Sequence, residues 1–540
     1  MDKRTILALV LTVIILFVFQ TYFAPKPQQT GEQQSQSKEQ VKAKEEAKPQ
    51  GQVVAKEETQ RIETRPKGVA GPAKGPVEKK PPKDIVVETP FLKVIMTDFG
   101  GGIKSVQLKK YKEKVNEPNY KEMIEDLKPY GYLPAITQTV NNQTVDDRTT
   151  FTPDKEGLTV KDKPETIVLT GRLSDGRMAK KSYTFYPDTY AIGMNVQIEP
   201  VNTDGAKLSF EVISSKKESS YTFKGPFVLN NKKFEQIEKI EKDIDVDKNF
   251  SYAGLDDGFF AFIYIPQDDS RLPLSISKVA DGSPILRLSM DNKGSALAKL
   301  YFGPKQSDVL KSLNIQAEKI IDFGWFDIIA KPLILGMNYS NKLTHNYGID
   351  IILLTILIKI IFYPLTVKSS KSMKKMQKLQ PQVAKLKEKY KDDKQRMNQE
   401  MMEMYRREGA NPMGGCLPMI IQIPVFFALY KALSGAIELR HAPFMFWIND
   451  LSAPEDLFSF HVLGYALPIR ILPLIMGVTQ VIQQKMTPTS VDPMQEKMML
   501  FMPIFFTFLF WGFPAGLVLY WLVNNVISIG QQYYINKKVS

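Results

Sequence analysis

Two residue types are scarce in this chain of 540 residues, which has one cysteine and three histidines. The single Cys416 excludes an internal disulfide and any metal site built from several cysteines. Residues 84–312 contain neither His nor Cys, so that stretch lacks the commonest general base and the thiol nucleophile. For residues 84–312 these absences argue against catalysis and favour a scaffold or a binding surface.

Residues 25–83 have almost no large apolar side chains and consist largely of Gln, Glu, Lys and Pro. Such a composition cannot bury enough surface to offset the conformational entropy of the chain. We expect a disordered linker here, without a functional site.

The charge is distributed unevenly along the chain. The net charge is +13, and residues 367–411 carry thirteen Lys or Arg against six Asp or Glu. A basic loop beside apolar segments is explained by the positive-inside rule and by anionic lipid. We therefore expect this loop in the cytoplasm and predict no direct nucleic-acid function.

The apolar residues are concentrated in six blocks. Apolar residues spread evenly along the chain would be typical of a soluble protein. The first block could be a cleaved signal peptide, but residues 22–24 lack the small-x-small pattern of a cleavage site and include two interfacial aromatics, which favours an uncleaved anchor. The outer loop 434–462 is poor in Lys and Arg. We predict six spans with both termini cytoplasmic, at residues 5–23, 347–366, 419–433, 471–482, 498–510 and 517–529.

Residues 84–312 alternate apolar and polar side chains in short runs, as in Leu92-Val94-Met96 and Ile192-Met194-Val196, with Gly-containing turns between them. This pattern predicts the strands and hairpins of a β-sandwich. Asp243, Asp245 and Asp247 resemble the start of a calcium loop. However, Lys248 and Gly254 stand where that loop needs Gly and Glu. We expect a solvated acidic turn and no metal or cofactor.

Residues 318–337 carry spaced aromatic and aliphatic side chains interrupted by Gly324 and Pro332. We interpret this segment as an amphipathic helix lying in the outer membrane interface.

Lys359 is the one basic residue inside the apolar segment 347–366. Helical periodicity places it on one side with Thr355, Tyr363 and Thr366. A Lys at bilayer depth costs roughly 2.5 to 3.5 kcal/mol and marks a functional site by default. The alternative is that its long side chain extends to the nearby cytoplasmic interface.

Two later spans carry further polar side chains. In the last span Tyr520, Asn524, Ser528 and Gln531 share a face, and Gln480 belongs to a polar group near the inner end of the fourth span. Polar residues in spans often only bond neighbouring helices. Three polar stripes at similar depth favour a shared wet groove.

The basic loop has the pattern of two helices. Pro381 can open the first, Asp392 or Asp393 can cap the second, and Gly409 can end it. A methionine stripe in the second helix fits either the packed core of a hairpin or a docking surface for a nascent chain or ribosome.

Five motifs resemble the YidC/Oxa1/Alb3 family of membrane protein insertases, in its Gram-negative form with a large periplasmic domain. They are Tyr-Pro-Leu-Thr at 363–366, Asp-Asp-Lys-Gln-Arg at 392–396, Asn-Pro-Met-Gly-Gly-Cys at 411–416, Met-Gly-Val-Thr at 476–479, and Phe-Pro-Ala-Gly-Leu-Val-Leu-Tyr at 513–520.

The resemblance implies an insertase and chaperone for newly made inner-membrane proteins, not an enzyme, acting alone or with the Sec translocon and the ribosome in the lipid bilayer. The implied fold is a multi-pass α-helical membrane protein with a periplasmic all-β supersandwich. Its domains are an anchor (1–24), the linker (25–83), the supersandwich (84–312), an interfacial helix (313–346), and a five-helix core (347–540) with a cytoplasmic hairpin (367–412).

In this family a hydrophilic groove, open to cytoplasm and lipid, receives polar parts of the inserting protein. The residues expected in this groove are Lys359, Thr355, Tyr363, Tyr520, Trp521, Asn524 and Gln480. Those expected in an apolar exit slide are Met419, Met498, Met502 and Phe505, and those in the hairpin motif are Asp392, Asp393, Lys394 and Arg396.

The chain departs from the family pattern in three places. Lys359 replaces the usual Arg and Trp521 replaces a Tyr. Without a long basic tail after Lys538, we do not expect a tail-mediated ribosome contact. Two other functions stay open. Lys359 could serve a solute or proton-coupled transporter, although no inverted repeat is evident. The β-domain could act on carbohydrate, because its expected fold resembles sugar mutarotases.

Overall fold

The computed structural model describes most of the chain beyond the linker: residues 81–124, 131–140, 143–200, 206–210, 223–267, 271–278, 283–290, 294–411, 417–462, 465–486 and 493–538. The predicted anchor, nearly all of the linker, and residues 412–416 with Cys416 lie outside the described residues. So do the side chains of Met419 and Met498.

Short strands occupy the first half of the described chain, from residue 84 to residue 304, which we call the β-domain. The twenty strands described there are β1 Asp84–Glu88, β2 Leu92–Thr97, β3 Gly102–Lys112, β4 Tyr120–Glu122, β5 Ala135–Val140, β6 Gln143–Asp146, β7 Phe151–Pro153, β8 Gly157–Thr159, β9 Glu165–Arg172, β10 Met178–Phe185, β11 Ala191–Glu199, β12 Ala206–Phe210, β13 Lys224–Asn230, β14 Lys233–Gln236, β15 Ile244–Val246, β16 Phe250–Asp257, β17 Phe260–Pro266, β18 Leu274–Lys278, β19 Pro284–Ser289 and β20 Ser295–Pro304.

Among the described residues, these strands form sheets of five, nine and six strands. The orders are β4-β3-β2-β1-β8, then β14-β13-β16-β17-β20-β11-β10-β9-β7, and then β15-β18-β19-β12-β5-β6. Pairing is antiparallel except between β1 and β8. The alternating residues Val94, Ile167 and Ile192 are fully buried in one apolar cluster that all three sheets share. The predicted strands are therefore confirmed, because alternation turns every second side chain toward this core.

Three consecutive glycines hold two of the sheets together. Gly100 and Gly101 adopt positive φ angles of 72° and 60°. A Cβ on Gly100 would lie 1.8 Å from the Tyr132 ring, so no larger residue fits. The buried Lys181 of β10 donates hydrogen bonds to the carbonyls of Gly100 (2.7 Å) and Pro134 (2.9 Å). The buried ammonium therefore ties the nine-stranded sheet to this turn.

Helices dominate the second half. The described helices are α1 Ser307–Lys311, α2 Asp327–Thr344, α3 Tyr347–Lys389, α4 Lys394–Arg407, α5 Leu417–Gly435, α6 Ile471–Met486, α7 Pro493–Phe510 and α8 Ala515–Lys538. A two-stranded hairpin, β21 Phe458–Val462 and β22 Tyr465–Ile469, lies between α5 and α6. By length and composition, α3 is the one helix among the described residues that could cross a membrane, and Ile420–Gly435 and Phe501–Phe510 are shorter apolar stretches.

Two helix boundaries differ from the sequence prediction. The predicted new helix at Pro381 is wrong, because α3 continues through Pro364 and Pro381 to Lys389, about 65 Å at 1.5 Å per residue. The amphipathic helix starts at Asp327, later than predicted, because Gly324 with φ of 62° interrupts the chain before it. Helix α2 continues through Pro332, its sixth residue, although a proline there cannot donate the backbone hydrogen bond to the Ile328 carbonyl.

The segment between α5 and α6 joins the helices to the β-domain. Arg440 donates to the carbonyls of Lys112 (2.8 Å) and Glu113 (2.9 Å) at the end of β3. Ile437 is buried in the apolar cluster of the β-domain. The same segment also supports α8, since Gly516 donates its N–H to the Leu451 carbonyl (2.9 Å).

Candidate functional site: a polar seam between helices

Lys359 lies in the middle of the apolar part of α3, whose N-terminus is capped by the Asn346 side chain. The side chain is half-buried, and its ammonium donates a hydrogen bond to Ser528 Oγ of α8 at 2.6 Å. The Ser528 hydroxyl in turn donates to the Asn524 carbonyl at 2.7 Å. No described carboxylate lies within 4.0 Å of the ammonium. The charge is thus held by a neutral oxygen at the seam between α3 and α8.

The exposed side of α3 is apolar and faces away from this seam. Its members are Leu353, Ile356, Leu357, Ile360 and Ile361. On the buried side, Thr355 is fully enclosed and donates its hydroxyl to the Ile351 carbonyl (2.6 Å), whereas Tyr363 is 37% exposed. Lys359 therefore lies at the border between the exposed apolar side of α3 and the side that is buried in the helical bundle.

The polar face of α8 contacts two further helices. Tyr520 is buried, and its hydroxyl accepts a hydrogen bond from Gln422 of α5. Asn525 donates to the Met476 carbonyl (3.4 Å) and to Thr479 Oγ1 (3.3 Å) of α6. Helix α8 thus connects the Lys359 helix to the helix that carries Gln480.

Three of the expected groove residues have buried polar atoms without a described protein partner. These atoms are Gln480 Oε1, Trp521 Nε1 and Asn524 Oδ1. Buried polar side-chain atoms in proteins are almost always hydrogen-bonded to protein or to water. These three atoms can therefore bond water or the polar groups of another molecule.

Aromatic and apolar residues adjoin the polar seam. The Trp521 ring lies 5.0 Å from Phe426 and 5.1 Å from Phe510, and it stacks on Phe506 at 5.8 Å. On the outside of α7, Phe508 is 72% exposed. Of the residues expected in an apolar slide, Met502 and Phe505 are half-buried.

The basic hairpin consists of the end of α3 packed against α4. Asp393 Oδ1 accepts the Arg396 N–H at 3.0 Å and caps α4, as its sequence position predicts. Asp392 and Lys394 are exposed, and the Arg396 guanidinium lies 5.7 Å from the Tyr390 ring. The methionine stripe forms the hairpin core, which includes the apolar residues Met401, Met404, Leu379 and Val383. That contact supports the packed-core interpretation of the stripe.

Sequence reasoning missed two features of the helical core, one of them in the site. It placed Ser528 on the polar face of the last span but did not pair it with Lys359, because single-helix periodicity does not show which faces meet. It also overlooked Asp350, a buried carboxylate that accepts hydrogen bonds from Ser340 (2.6 Å), Asn341 (2.7 Å) and Thr344 (2.7 Å) of α2. Within the described ranges, no group of three His, Cys, Asp or Glu is placed to hold a metal ion.

Comparison with known proteins identifies the class to which this arrangement belongs. Residues 339–540 match the family described as 60Kd inner membrane protein, and residues 84–335 match the YidC periplasmic domain. The membrane protein insertase YidC of Pelobacter propionicus is 38% identical over the full length of both chains. The protein of the same name from Syntrophus aciditrophicus is 40% identical, again over both full lengths.

A solved structure is also similar, described as an active YidC insertase with the first transmembrane domain resolved. It aligns with 84% of this chain and 93% of its own at 21% identity, with a TM-score of 0.39. The family assignment rests on the sequence relatives. The chain belongs to the YidC family of membrane protein insertases, inner-membrane proteins that combine a β-rich periplasmic domain with a membrane insertase core. These relatives do not favour the transporter alternative.

Proposed function

We propose that this chain inserts newly made proteins into the inner membrane through a hydrophilic groove that is open to cytoplasm and lipid and closed toward the periplasm. In this mechanism Lys359 is a transient counter-charge for acidic groups of the inserting segment. The observation that carries the proposal is the half-buried ammonium, which is bonded to the neutral Ser528 and has no described carboxylate within 4.0 Å.

The cost of placing a charge in the membrane and the attraction between two opposite charges there are similar in size. Placing Lys at bilayer depth costs about 2.5 to 3.5 kcal/mol, and an Asp costs about the same. Two opposite charges 4 Å apart attract by about 4 kcal/mol at an effective dielectric constant of 20. Pairing with Lys359 would therefore offset much of the cost of moving one acidic residue through the groove.

The groove would be lined by Thr355, Tyr363, Gln480, Tyr520, Trp521 and Asn524. Support comes from the unpaired polar atoms of Gln480, Trp521 and Asn524, which can bond water or substrate. Met419, Met498, Met502 and Phe505 would form the apolar slide by which a hydrophobic segment leaves for the lipid.

The proposed topology has six spans, of which the last five form the insertase core. Both termini and the hairpin 367–412 lie in the cytoplasm. The basic excess of the hairpin supports this orientation. Helix α2 lies in the outer interface, which is supported by Ile328 in its first turn and by Trp325 just before it, 85% and 97% exposed. The β-domain then adopts its supersandwich in the periplasm.

Nascent membrane proteins and the bilayer are the direct partners in this proposal. The exposed residues Asp392, Lys394 and Arg396 lie at the tip of the hairpin, where an arriving ribosome would meet the protein. The Sec translocon would be a second partner for substrates with large translocated parts.

The test uses proteoliposomes containing the full-length chain and two matched substrates, whose translocated segment carries either Asp or Asn at the same positions. Lys359→Ala should lower the ratio of acidic to neutral insertion by about tenfold, which corresponds to about 1.4 kcal/mol. Lys359→Arg, which keeps the charge, is the matched control and should retain most of the ratio. An equal loss for both substrates in Lys359→Ala would contradict the counter-charge role.

A further inference from the structure

We propose that residues 443–448, which we call the apolar turn, insert Met445 and Phe446 into the outer interface of the lipid bilayer. The partner is the boundary between lipid headgroups and acyl chains, and not another protein. This inference rests on the orientation proposed above, in which α3 begins at the outer face of the membrane. It assigns a membrane anchor to the segment that joins the helices to the β-domain.

The backbone conformation of Phe446 is unusual for its residue type. Seven described residues other than glycine have positive φ angles, and six of them are Asn, Lys, Gln or His. Phe446, with a φ of 59°, is the one apolar residue among the seven. A bulky side chain in this conformation is strained, and strained residues are concentrated at functional positions. The strain at Phe446 therefore indicates that exposing its side chain serves a function.

The apolar turn exposes two large side chains and buries its base. Phe446 is 88% exposed, and Met445 beside it is also exposed. By contrast, Ile448 is buried in the apolar cluster of the helical core, and Phe444 and Trp447 pack against that cluster. Turns that face water usually carry Gly, Asn, Asp or Ser at the tip. The side chains at this tip are instead of the kind that enters a membrane interface.

The polar groups of the apolar turn are largely paired within the chain. The turn has no charged side chain. Phe444 donates its N–H to the Ile448 carbonyl at 2.9 Å, and Ile448 donates its N–H to the Met445 carbonyl at 3.2 Å. Trp447 donates its Nε1–H to Glu455 at 2.8 Å. Because unpaired polar groups are costly in lipid, this internal pairing suits a turn that enters the interface.

The base of the apolar turn lies at the outer end of α3. The Phe444 ring occupies the space that a Cβ on Gly348 would need, and the Asn346 side chain donates to the Phe444 carbonyl at 3.4 Å. Gly348 is the second residue of α3. The apolar part of this helix, residues 347–366, is about 30 Å long, which matches the hydrocarbon core of a bilayer. The turn is therefore level with the outer boundary of the hydrocarbon.

The apolar turn adds to an exposed apolar surface that begins near α2. Trp325 and Ile328 at the start of α2, and Tyr339 and Leu343 in its last turns, are all exposed. Helix α2 ends two residues before Asn346, which contacts the base of the apolar turn. A lipid boundary covers every apolar side chain at its depth, whereas a single protein docking site covers one patch. Exposed apolar residues on separate elements at one end of the bundle therefore favour lipid.

The experiment measures the depth of a nitroxide label in liposomes that contain only the full-length chain, with its one cysteine removed by Cys416→Ser. Depth is obtained by comparing collisions of the label with oxygen, which concentrates in lipid, and with a water-soluble nickel complex. A label on Phe446→Cys should collide more with oxygen. Asn449→Cys, an exposed polar position just after the turn, is the matched control and should collide more with the nickel complex. Ile328→Cys near the start of α2 should behave like Phe446→Cys.

A second variant tests whether Phe446 holds the turn in the lipid. Asn adopts positive φ more readily than Phe, so Phe446→Asn should keep the thermal denaturation temperature of the parent. In this variant a label on Met445→Cys should shift from collisions with oxygen toward collisions with the nickel complex. An unchanged label would show that Phe446 does not anchor the turn, and a clearly lower denaturation temperature would show that it supports the fold instead.

The outcomes separate this inference from the proposed function, because none of the measurements depends on Lys359. If the label on Phe446→Cys prefers the nickel complex and the label on Ile328→Cys prefers oxygen, the inference is wrong and the proposed topology stands. If both labels prefer the nickel complex, the proposed outer interface is wrong as well. An oxygen preference on Phe446→Cys that disappears when the protein is diluted in lipid would identify a second copy of the chain as the partner and overturn the inference.

Discussion

The ion pair between Asp256 and Lys305 gives a prediction for the stability of the β-domain. Lys305 Nζ lies 2.7 Å from Asp256 Oδ2, and both side chains are buried. Gly258 donates its N–H to the other carboxylate oxygen at 2.7 Å. Burial raises the pKa of Asp256 from 3.8 to about 6, although Lys305 acts to lower it.

The sign of the pH dependence follows from that direction. Because the pKa is higher in the folded chain than in the unfolded chain, protonated Asp256 favours folding. The contribution of Asp256 protonation to the free energy of unfolding is fully present below about pH 4 and is lost as the pH rises through about 6. A difference of about two pKa units corresponds to about 3 kcal/mol.

Replacing Lys305 with Met should increase the stability that the β-domain loses as the pH rises, and should move that loss to higher pH. Without the ammonium, the pKa of Asp256 rises further, and above that pKa an unpaired buried carboxylate costs about 3–5 kcal/mol. We expect Lys305→Met to be close to the parent in stability near pH 5 and several kcal/mol less stable near pH 8.

The assay is hydrogen exchange of peptides covering β16 and β17 in the full-length chain, corrected for the intrinsic pH dependence of exchange. The double variant Asp256→Asn/Lys305→Met is the control, because it contains neither charge and should lose this dependence. Equal destabilisation by Lys305→Met at pH 5 and at pH 8 would refute the reasoning.

Three further substitutions test the supports of the helical core. Gly348→Ala places a Cβ 2.0 Å from the Phe444 ring and should cost about 1–3 kcal/mol or more, seen as a lower thermal denaturation temperature. Asp393→Ala removes the cap on the Arg396 N–H and should cost about 1 kcal/mol, seen as faster hydrogen exchange at the start of α4. Asp350→Ala removes the acceptor of three hydrogen bonds and should cost about 1–3 kcal/mol, seen as a lower denaturation temperature, whereas Asp350→Asn should lower that temperature less. Normal denaturation temperatures in the first and third variants, or unchanged exchange in the second, would contradict these assignments.

The alternation of apolar and polar residues was sufficient to predict the strands of the β-domain. Val94 and Ile192 alternate with polar neighbours, and each lies in the shared core. Local pattern failed at Pro381, where it predicted the start of a new helix. A proline can begin a helix, but here it lies inside one that continues on both sides of it. Residues 367–389 extend α3, and Leu379 and Val383 pack against Met404 of α4. This tertiary contact outweighs the hydrogen bond lost at the proline.

The candidate site was predictable as a set of residues but not as a set of contacts. Lys359 was identified as the one basic residue of an apolar segment, and the spacing of polar residues identified the face of α8 that carries Asn524. The pairing of Lys359 with Ser528 depends on how α3 and α8 pack, which the periodicity of each helix does not determine. Similarly, nothing local indicates that Tyr520 meets Gln422 of α5.

The distribution of satisfied and unsatisfied polar atoms separates the candidate groove from the rest of the helical core. At the end where α3 and α6 begin, both oxygens of Asp350 and both oxygens of Glu455 accept hydrogen bonds, the latter from Trp447 (2.8 Å) and Leu472 (2.7 Å). The described helices also bury side-chain polar atoms without a protein partner, namely those of Ser434, Gln480, Trp521, Asn524 and Gln531.

All of these except Ser434 lie on α8, which forms the polar seam with α3, or on α6, which is hydrogen-bonded to α8. A bundle that needed only stability would have apolar residues at such positions, because buried polar atoms are costly when unpaired. The chain satisfies its carboxylates where α3 and α6 begin and leaves hydrogen-bonding capacity further along α6 and α8. That asymmetry is expected of a site that binds polar groups transiently, and not of one that serves only to hold helices together.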